Sequence, residues 1–406
     1  VLLLVAHRVL HRLSGDALSS GARLVALFVF AMLAIHEDVV PSLAGRAELF
    51  ATLFSLLALE AAMLGRPVLV LLSLLLALGS KESALPLALV TPLLAIRRVE
   101  RRRTLAVAGA ALVAVGVFAA VRAHRLPFGI TKEWYLHNPL LLASTAGRLR
   151  GAVETVFHYA AHTATGADLC PDYSYAAIVP ETSLGPRTVG GACLIGLSFL
   201  SLGKALRARN WLVVELLVLL GASYAVVSHV LVPASAIVAD RWFFHPSLWL
   251  VALVAVAVDA VARSHPRLAR PLAFAGLGFG LLQGVVAATI VPAWRDNLTL
   301  SARAVRVCST SIGARIHRAS STFTAGQLDE AAWATLVASV LHARFPRPID
   351  EEALPGAWED LPLPERVRRM QTALGGRLAF ERYRDSARRA LIDQGMESAE
   401  RVLGTW

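Results

Sequence analysis

Apolar runs recur from Val1 to about residue 290, and most charged side chains in that region fall in the short stretches between them. A bilayer leaves backbone groups no water to bond, so a chain of this pattern is confined to helices that satisfy themselves. We read membrane segments at about 1–13, 22–35, 48–64, 67–79, 83–96, 104–122, 188–203, 211–232, 247–262 and 272–292. The expectation is an all-α polytopic membrane protein of about 10 helices over 1–292, followed by a short helical tail over 293–406. Composition agrees, with a mean hydropathy of +0.58 and 17% charged residues, against about a quarter charged in soluble domains.

The net charge of +11 comes almost wholly from Arg, because Lys81, Lys132 and Lys204 are the only lysines. The strongest basic stretches are Arg97–Arg103, Lys204–Arg209 and Arg263–Arg270, each between apolar runs. That placement argues against a nucleic-acid partner and for cytoplasmic membrane loops. An alternating path then puts 36–47, 80–82, 123–187, 233–246 and the tail on the opposite, extracytoplasmic face. The Arg-over-Lys bias suggests a GC-rich bacterial genome and hence a bacterial inner membrane. The chain starts inside an apolar segment with no charged leader or cleavage site, and reads as a fragment. Its three cysteines make no disulfide framework. Cys193 falls in a membrane segment, and Cys170 and Cys308 are expected to be free thiols.

Four polar stretches carry the chemistry. Ile35–Leu49 packs His36, Glu37, Asp38, Arg46 and Glu48 between two apolar runs, and ionisable groups near lipid must stay hydrated or find partners. Gly79-Ser80-Lys81-Glu82-Ser83 interrupts an otherwise apolar block. Residues 169–180 form a Pro-bounded turn with two interfacial tyrosines. Val238-Ala239-Asp240-Arg241-Trp242-Phe243-Phe244-His245-Pro246-Ser247 sets an Asp–Arg pair among aromatics. In addition Glu154, His158 and His162 recur every four residues on one helical face. Without the acid of the zincin motif, that face reads as polar surface at the headgroup level and not as a metal site.

These stretches resemble, in order, motifs of the transmembrane and tetratricopeptide-repeat O-mannosyltransferases, polytopic glycosyltransferases of the GT-C class. His36, Asp38 and Gly45-Arg46-Ala47-Glu48-Leu49 match the family's His-Pro-x-His-Thr-Glu-x-Val-x-x-x-x-Gly-Arg-Ala-Glu-Leu loop, with Leu33-Ala34 in place of His-Pro. Ser80-Lys81-Glu82 stands where the family has Ser-Lys-Glu-Gln, and Asp172-Tyr173-Ser174-Tyr175 matches its Asp-Tyr-Ser-Tyr. Val238 to Ser247 follows Val-Ala-Glu-Arg-x-x-Tyr-x-Pro-Ser, with Asp240 for Glu and Phe244 for Tyr. The resemblance implies transfer of a sugar, mannose in the namesakes, from a polyprenyl-phosphate donor to a hydroxyl of a protein or glycan acceptor outside the cytoplasm. The one cofactor it suggests is that lipid-linked donor, and no residue is assigned to a metal. Asp38 and Glu48 become the candidate catalytic acids. His36, Arg46, Lys81, Glu82, Asp240, Arg241 and His245 become the candidate substrate-binding set, with Asp240 orienting Arg241 onto the lipid phosphate. The family's base lies in a first external loop that would precede Val1.

In the tail, Gly326–Ala331, Ala338 and Phe345-Pro346 resemble one degenerate tetratricopeptide repeat, too little for a solenoid. Two other classes fit the same residues. A transporter or flippase of an anionic lipid would also place Lys81 and Arg241 near phosphate, although no internal repeat is visible. An inactive scaffold displaying the tail would need none of the charged loops.

Overall fold

A computed structural model describes residues 1–125, 138–141, 143–174, 177–181, 183–231, 233–344, 361–373 and 377–405. The described residues form helices and turns, with no strand among them. The first eleven helices are α1 (Leu2–Ser14), α2 (Ser20–Met32), α3 (Arg46–Met63), α4 (Pro67–Ser80), α5 (Leu85–Ile96), α6 (Arg101–Arg125), α7 (Thr145–Thr165), α8 (Pro186–Arg207), α9 (Trp211–Tyr224), α10 (Phe244–Ser264) and α11 (Pro266–Ile290). The tail comprises α12 (Asn297–Val307), α13 (Ile312–Thr324), α14 (Leu328–Arg344), α15 (Leu363–Ala373), α16 (Arg377–Asp393) and α17 (Glu397–Gly404).

The expectation of ten membrane crossings is not met. Among the described residues four helical segments are long and apolar enough to span: Arg101–Arg125, Pro186–Arg207, Asp240–Ser264 and Pro266–Arg295. The reason is length. Helix α2 has 13 residues, and α4 and α9 have 14 each. At about 1.5 Å per residue these reach roughly 20 Å, short of the roughly 30 Å hydrocarbon layer. Helix α1 is interrupted by Arg8 and Arg12, and α3 carries Arg46, Glu48 and Glu60. The short helices pack beside the long ones through shared cores. One joins α1, α2, α3, α5, α9 and α10 around Leu10, Phe30, Leu59 and Trp249, and another joins α3 to α6.

Polarity divides the helical body into two ends. At one, Glu60 receives Arg8 and Arg12, the latter at 3.1 Å. There too Arg98 grips Glu215 through two 2.7 Å bonds, and Arg97 lies 4.2 Å over the Trp211 ring. Ser19 caps α2 and fastens it to α10 by donating to the Asp259 carboxylate, from its backbone N at 3.0 Å and from its hydroxyl at 2.7 Å. All three basic stretches lie at this end. The 3₁₀ turns Ala34–Asp38 and Asp240–Phe243, with Lys81, lie at the other.

The tail builds its own core from Trp333, Leu336, Val340, Phe380, Leu391 and Leu403. Gly326, at φ +76°, makes the turn between α13 and α14. Of the repeat-like motif, Phe345 and Pro346 lie outside the described residues. The tail is anchored to the loop after α7. Ser174 Oγ meets Ser311 Oγ and accepts from Gly313 N, each at 2.7 Å. A Cβ on Gly313 would come within 2.4 Å of Asp172 Oδ2, so a larger residue here would displace the Asp172 side chain. The same junction corrects the expectation of free thiols, because Cys170 and Cys308 are disulfide-bonded across a separation of 138 residues. Helix α12 brings Cys308 against the Leu169–Tyr173 turn, which the spacing of the cysteines gave no reason to expect.

Unreduced protein should therefore present one alkylatable thiol, Cys193, and a linked Cys170–Cys308 peptide by mass spectrometry. Cys170→Ser should lower stability by about 2–4 kcal/mol, the usual scale for a native bridge. Alkylation of all three cysteines without reductant would contradict this pairing.

Candidate functional site

Each buried carboxylate at the second end is held by a partner from a different element. The turn that follows α2 places His36, Glu37 and Asp38 side by side, all buried. Gly45, at the start of α3, folds back against this turn so closely that a Cβ would lie 2.4 Å from Val39 O. That contact gives the Gly45-Arg46 step of the motif its physical reason.

Asp38 Oδ2 accepts from Arg241 Nη1 at 2.8 Å. Burial pushes the Asp38 carboxyl up to about 6, with Arg241 opposing the shift. Glu48, in the first turn of α3, accepts from Lys81 Nζ at 2.5 Å and from Ser83 Oγ at 3.1 Å. Three sequence-distant stretches thus meet: the loop before α3, the turn before α5 and the turn before α10. The side chains of Arg241 and Lys81 keep 31% and 19% exposure. Arg241 Nη2 and Nε, and Asp38 Oδ1, have no protein partner among the described residues.

Asp240 does not orient Arg241, contrary to the reading from sequence. Its Oδ1 faces His162 Nδ1 at 2.8 Å and its Oδ2 accepts from the Tyr173 hydroxyl at 2.6 Å. Tyr173 in turn accepts from Cys170 N at 2.8 Å, and its ring stacks on His162. Burial opposes charge on His162, but the Asp240 bond wins and raises its pKa. The Asp-Tyr-Ser stretch is thus a structural knot: Asp172 caps its own turn through Ser174 N, Tyr173 secures Asp240, and Ser174 secures the tail. Tyr175, the last residue of that motif, lies outside the described residues.

His36 is held as a buried packing pin. Its ring sits between Phe30 and Phe244, and burial pushes it down to about 3. Ser247 Oγ donates to Phe244 O at 2.7 Å, so it accepts from His36 Nε2 at 3.0 Å, which assigns the proton to that nitrogen. His245 is likewise buried, against Trp249, on the first turn of α10. Arg46 and Glu82 are exposed and make no ion pair among the described residues. Glu154 bonds Glu181 N and Thr188 Oγ1, so it shares no ligand set with His158 and His162, and no metal-binding group occurs among the described residues.

Several residues went unread in the sequence. Glu37 Oε2 accepts from Trp294 Nε1 just past α11, while its buried Oε1 has no partner. Burial pushes Glu37 up to about 8; the Trp294 bond opposes this, and Asp240 and Asp38 add to it. Gln283, buried in α11, accepts from Ala34 N at 3.1 Å and donates to Ala164 O at 3.2 Å, tying the His36 turn to α7. Nothing in the periodicity of α11 marks Gln283, whereas Glu37 lies inside the loop already singled out. No protein-family model, characterised protein or solved structure matches the chain.

The Glu37 shift has a thermodynamic signature. The folded chain holds this proton up to about pH 8, whereas an unfolded Glu releases it near 4.5. Between those values the native state binds more protons, so stability falls as pH rises. Glu37→Gln should flatten that fall in melting curves of the detergent-solubilised chain from pH 5 to 9. A variant curve parallel to the parent across this window would show that Glu37 ionises normally.

Proposed function

We propose that this chain is a membrane glycosyltransferase that moves a sugar from a polyprenyl-phosphate donor to an acceptor hydroxyl at the Arg241–Lys81 end. The observation that carries the reading is the meeting of two part-buried cations and their carboxylates at one end of an apolar helical body. A donor that is half lipid and half anion needs that combination. As the bond from sugar C1 to the phosphate oxygen breaks, charge grows on the phosphate. Arg241, whose Nη2 and Nε have no partner among the described residues, can fork onto two of its oxygens, and Lys81 adds a point charge. The acceptor oxygen bonds to C1, and its proton passes to a carboxylate. Asp38 is the group we assign to it, because a carboxyl near 6 is ionised at neutral pH yet basic enough to take a proton.

Two independent features support an extracytoplasmic site in this reading. The basic loops lie at the opposite end, as cytoplasmic loops do. The Cys170–Cys308 bridge lies at this one, which suits an oxidising compartment such as a periplasm. Glu48, bonded to both Lys81 and Ser83, serves in this reading as the counter-ion that holds Lys81, not as a second acid.

Transfer of a radiolabelled sugar from polyprenyl phosphate, by membranes carrying the full chain, tests the assignment. Arg241→Lys keeps the charge and loses the fork. Each charge-assisted bond lost is worth roughly 1.5–3 kcal/mol, so the rate should fall by about one to two decades. Asp38→Asn should lower the rate further, and Asp240→Asn, acting through His162 and Tyr173, should lower it less. Undiminished transfer by Arg241→Lys combined with Lys81→Ala would remove both residues from the phosphate site.

A further inference from the structure

A second candidate site lies away from these residues. A cavity of about 610 Å³ runs between α2, α10 and α11. It extends from Ser19 and Asp259, at the arginine-rich end, to Leu33 and Thr163 near the other. Fourteen residue steps along α2 at about 1.5 Å each make it roughly 21 Å long. Small side chains such as Ala22, Ala26, Ala255 and Ala273 keep it open. Val254 on its wall is 55% exposed, so it opens sideways.

The wall offers a ligand no hydrogen bond. Ser19 and Asp259 bond each other, and Thr163 donates to Tyr159 O at 2.7 Å. Water would find too few polar partners here to be stable. A void would forfeit the dispersion contacts of its lining. A hydrocarbon chain satisfies both conditions.

The charge at the arginine-rich mouth selects the headgroup. Ala262 and Ala269 line the cavity on either side of the turn into α11. Arg263 in that turn bonds Asp259 at 3.3 Å. Arg267 and Arg270 are exposed and have no ion-pair partner among the described residues. Both stand at the start of α11, where the helix dipole is already positive, so they repel it unless an anion is present. We propose that the α2–α10–α11 groove holds one anionic membrane phospholipid, its acyl chain along the cavity and its phosphate at Arg267 and Arg270. This site is independent of the transferase reading, whose donor phosphate belongs at the opposite end.

Native mass spectrometry tests it, using the full chain released from nanodiscs of equal phosphatidylglycerol and phosphatidylcholine. The parent should retain one phosphatidylglycerol, favoured over phosphatidylcholine by about tenfold or more, the scale of two basic side chains near a membrane surface. Arg267→Gln with Arg270→Gln should bring that ratio to about one. Ala255→Leu with Ala273→Leu should fill the groove and expel both lipids. Should the filled variant fail to fold, the surface arginine pair still decides the matter. Equal retention of the two lipids by the parent would overturn the proposal, as would undiminished preference in the arginine variant. So would displacement of the lipid by polyprenyl phosphate regardless of Arg267 and Arg270, which would give the groove to the donor.

Discussion

Burying ionisable groups at one end of an apolar helical body fixes how its helices must meet. Glu37, Asp38, Glu48 and Asp240 are each at most 3% exposed. A buried carboxylate left without a partner is strongly destabilising, and removing one member of a buried pair costs about 3–5 kcal/mol. Each partner here comes from another element: Trp294 for Glu37, Arg241 for Asp38, Lys81 for Glu48, His162 and Tyr173 for Asp240. The contacts link α2, α3, α4, α7, α10 and the segment after α11. Apolar packing along the helices is tolerant of sliding, whereas these bonds are directional and admit one register.

The two ends solve the same electrostatic problem differently. At the arginine-rich end Glu60 is paired by well-exposed arginines, Arg8 at 58% and Arg12 at 41%, although Arg98 beside Glu215 is as shielded as the cations of the other end. Pairs with such exposed arginines are screened and contribute little. At the opposite end burial of the carboxyls themselves shifts Asp38 and Glu37 upward. The difference in hydration, more than the count of charges, separates an anchoring surface from a site able to do proton chemistry.

Much of this was legible in the residues. Apolar runs announced an all-helical membrane protein, and the clustering of ionisable groups in Ile35–Leu49 marked the turn that became the site. The number of crossings was not legible, because hydropathy alone does not say that a 13-residue run such as α2 packs within a bundle and stops short of spanning. Pairing was not legible either. Asp240 is next to Arg241 in the chain, yet on a 3₁₀ turn adjacent side chains diverge, and the two groups bond in opposite directions. Glu37 finds its partner in Trp294, 257 residues away, and the Cys170–Cys308 bond depends on the docking of α12. Long-range partners are set by packing, and no local pattern encodes them.

The Asp38–Arg241 pair gives the proposed reaction a built-in order. Burial raises the Asp38 carboxyl and Arg241 holds it down, so its basicity depends on where the guanidinium is engaged. A donor phosphate arriving at Arg241 competes for the same donors. As Arg241 turns part of its charge toward that phosphate, the restraint on Asp38 weakens and its carboxylate becomes a stronger base. Before the donor binds, Asp38 is a weaker base held in an ion pair; afterwards it is better able to take the acceptor proton. In the proposed reaction the same guanidinium would bind the leaving group and activate the base, so that proton abstraction would be favoured only once a lipid-linked sugar is in place.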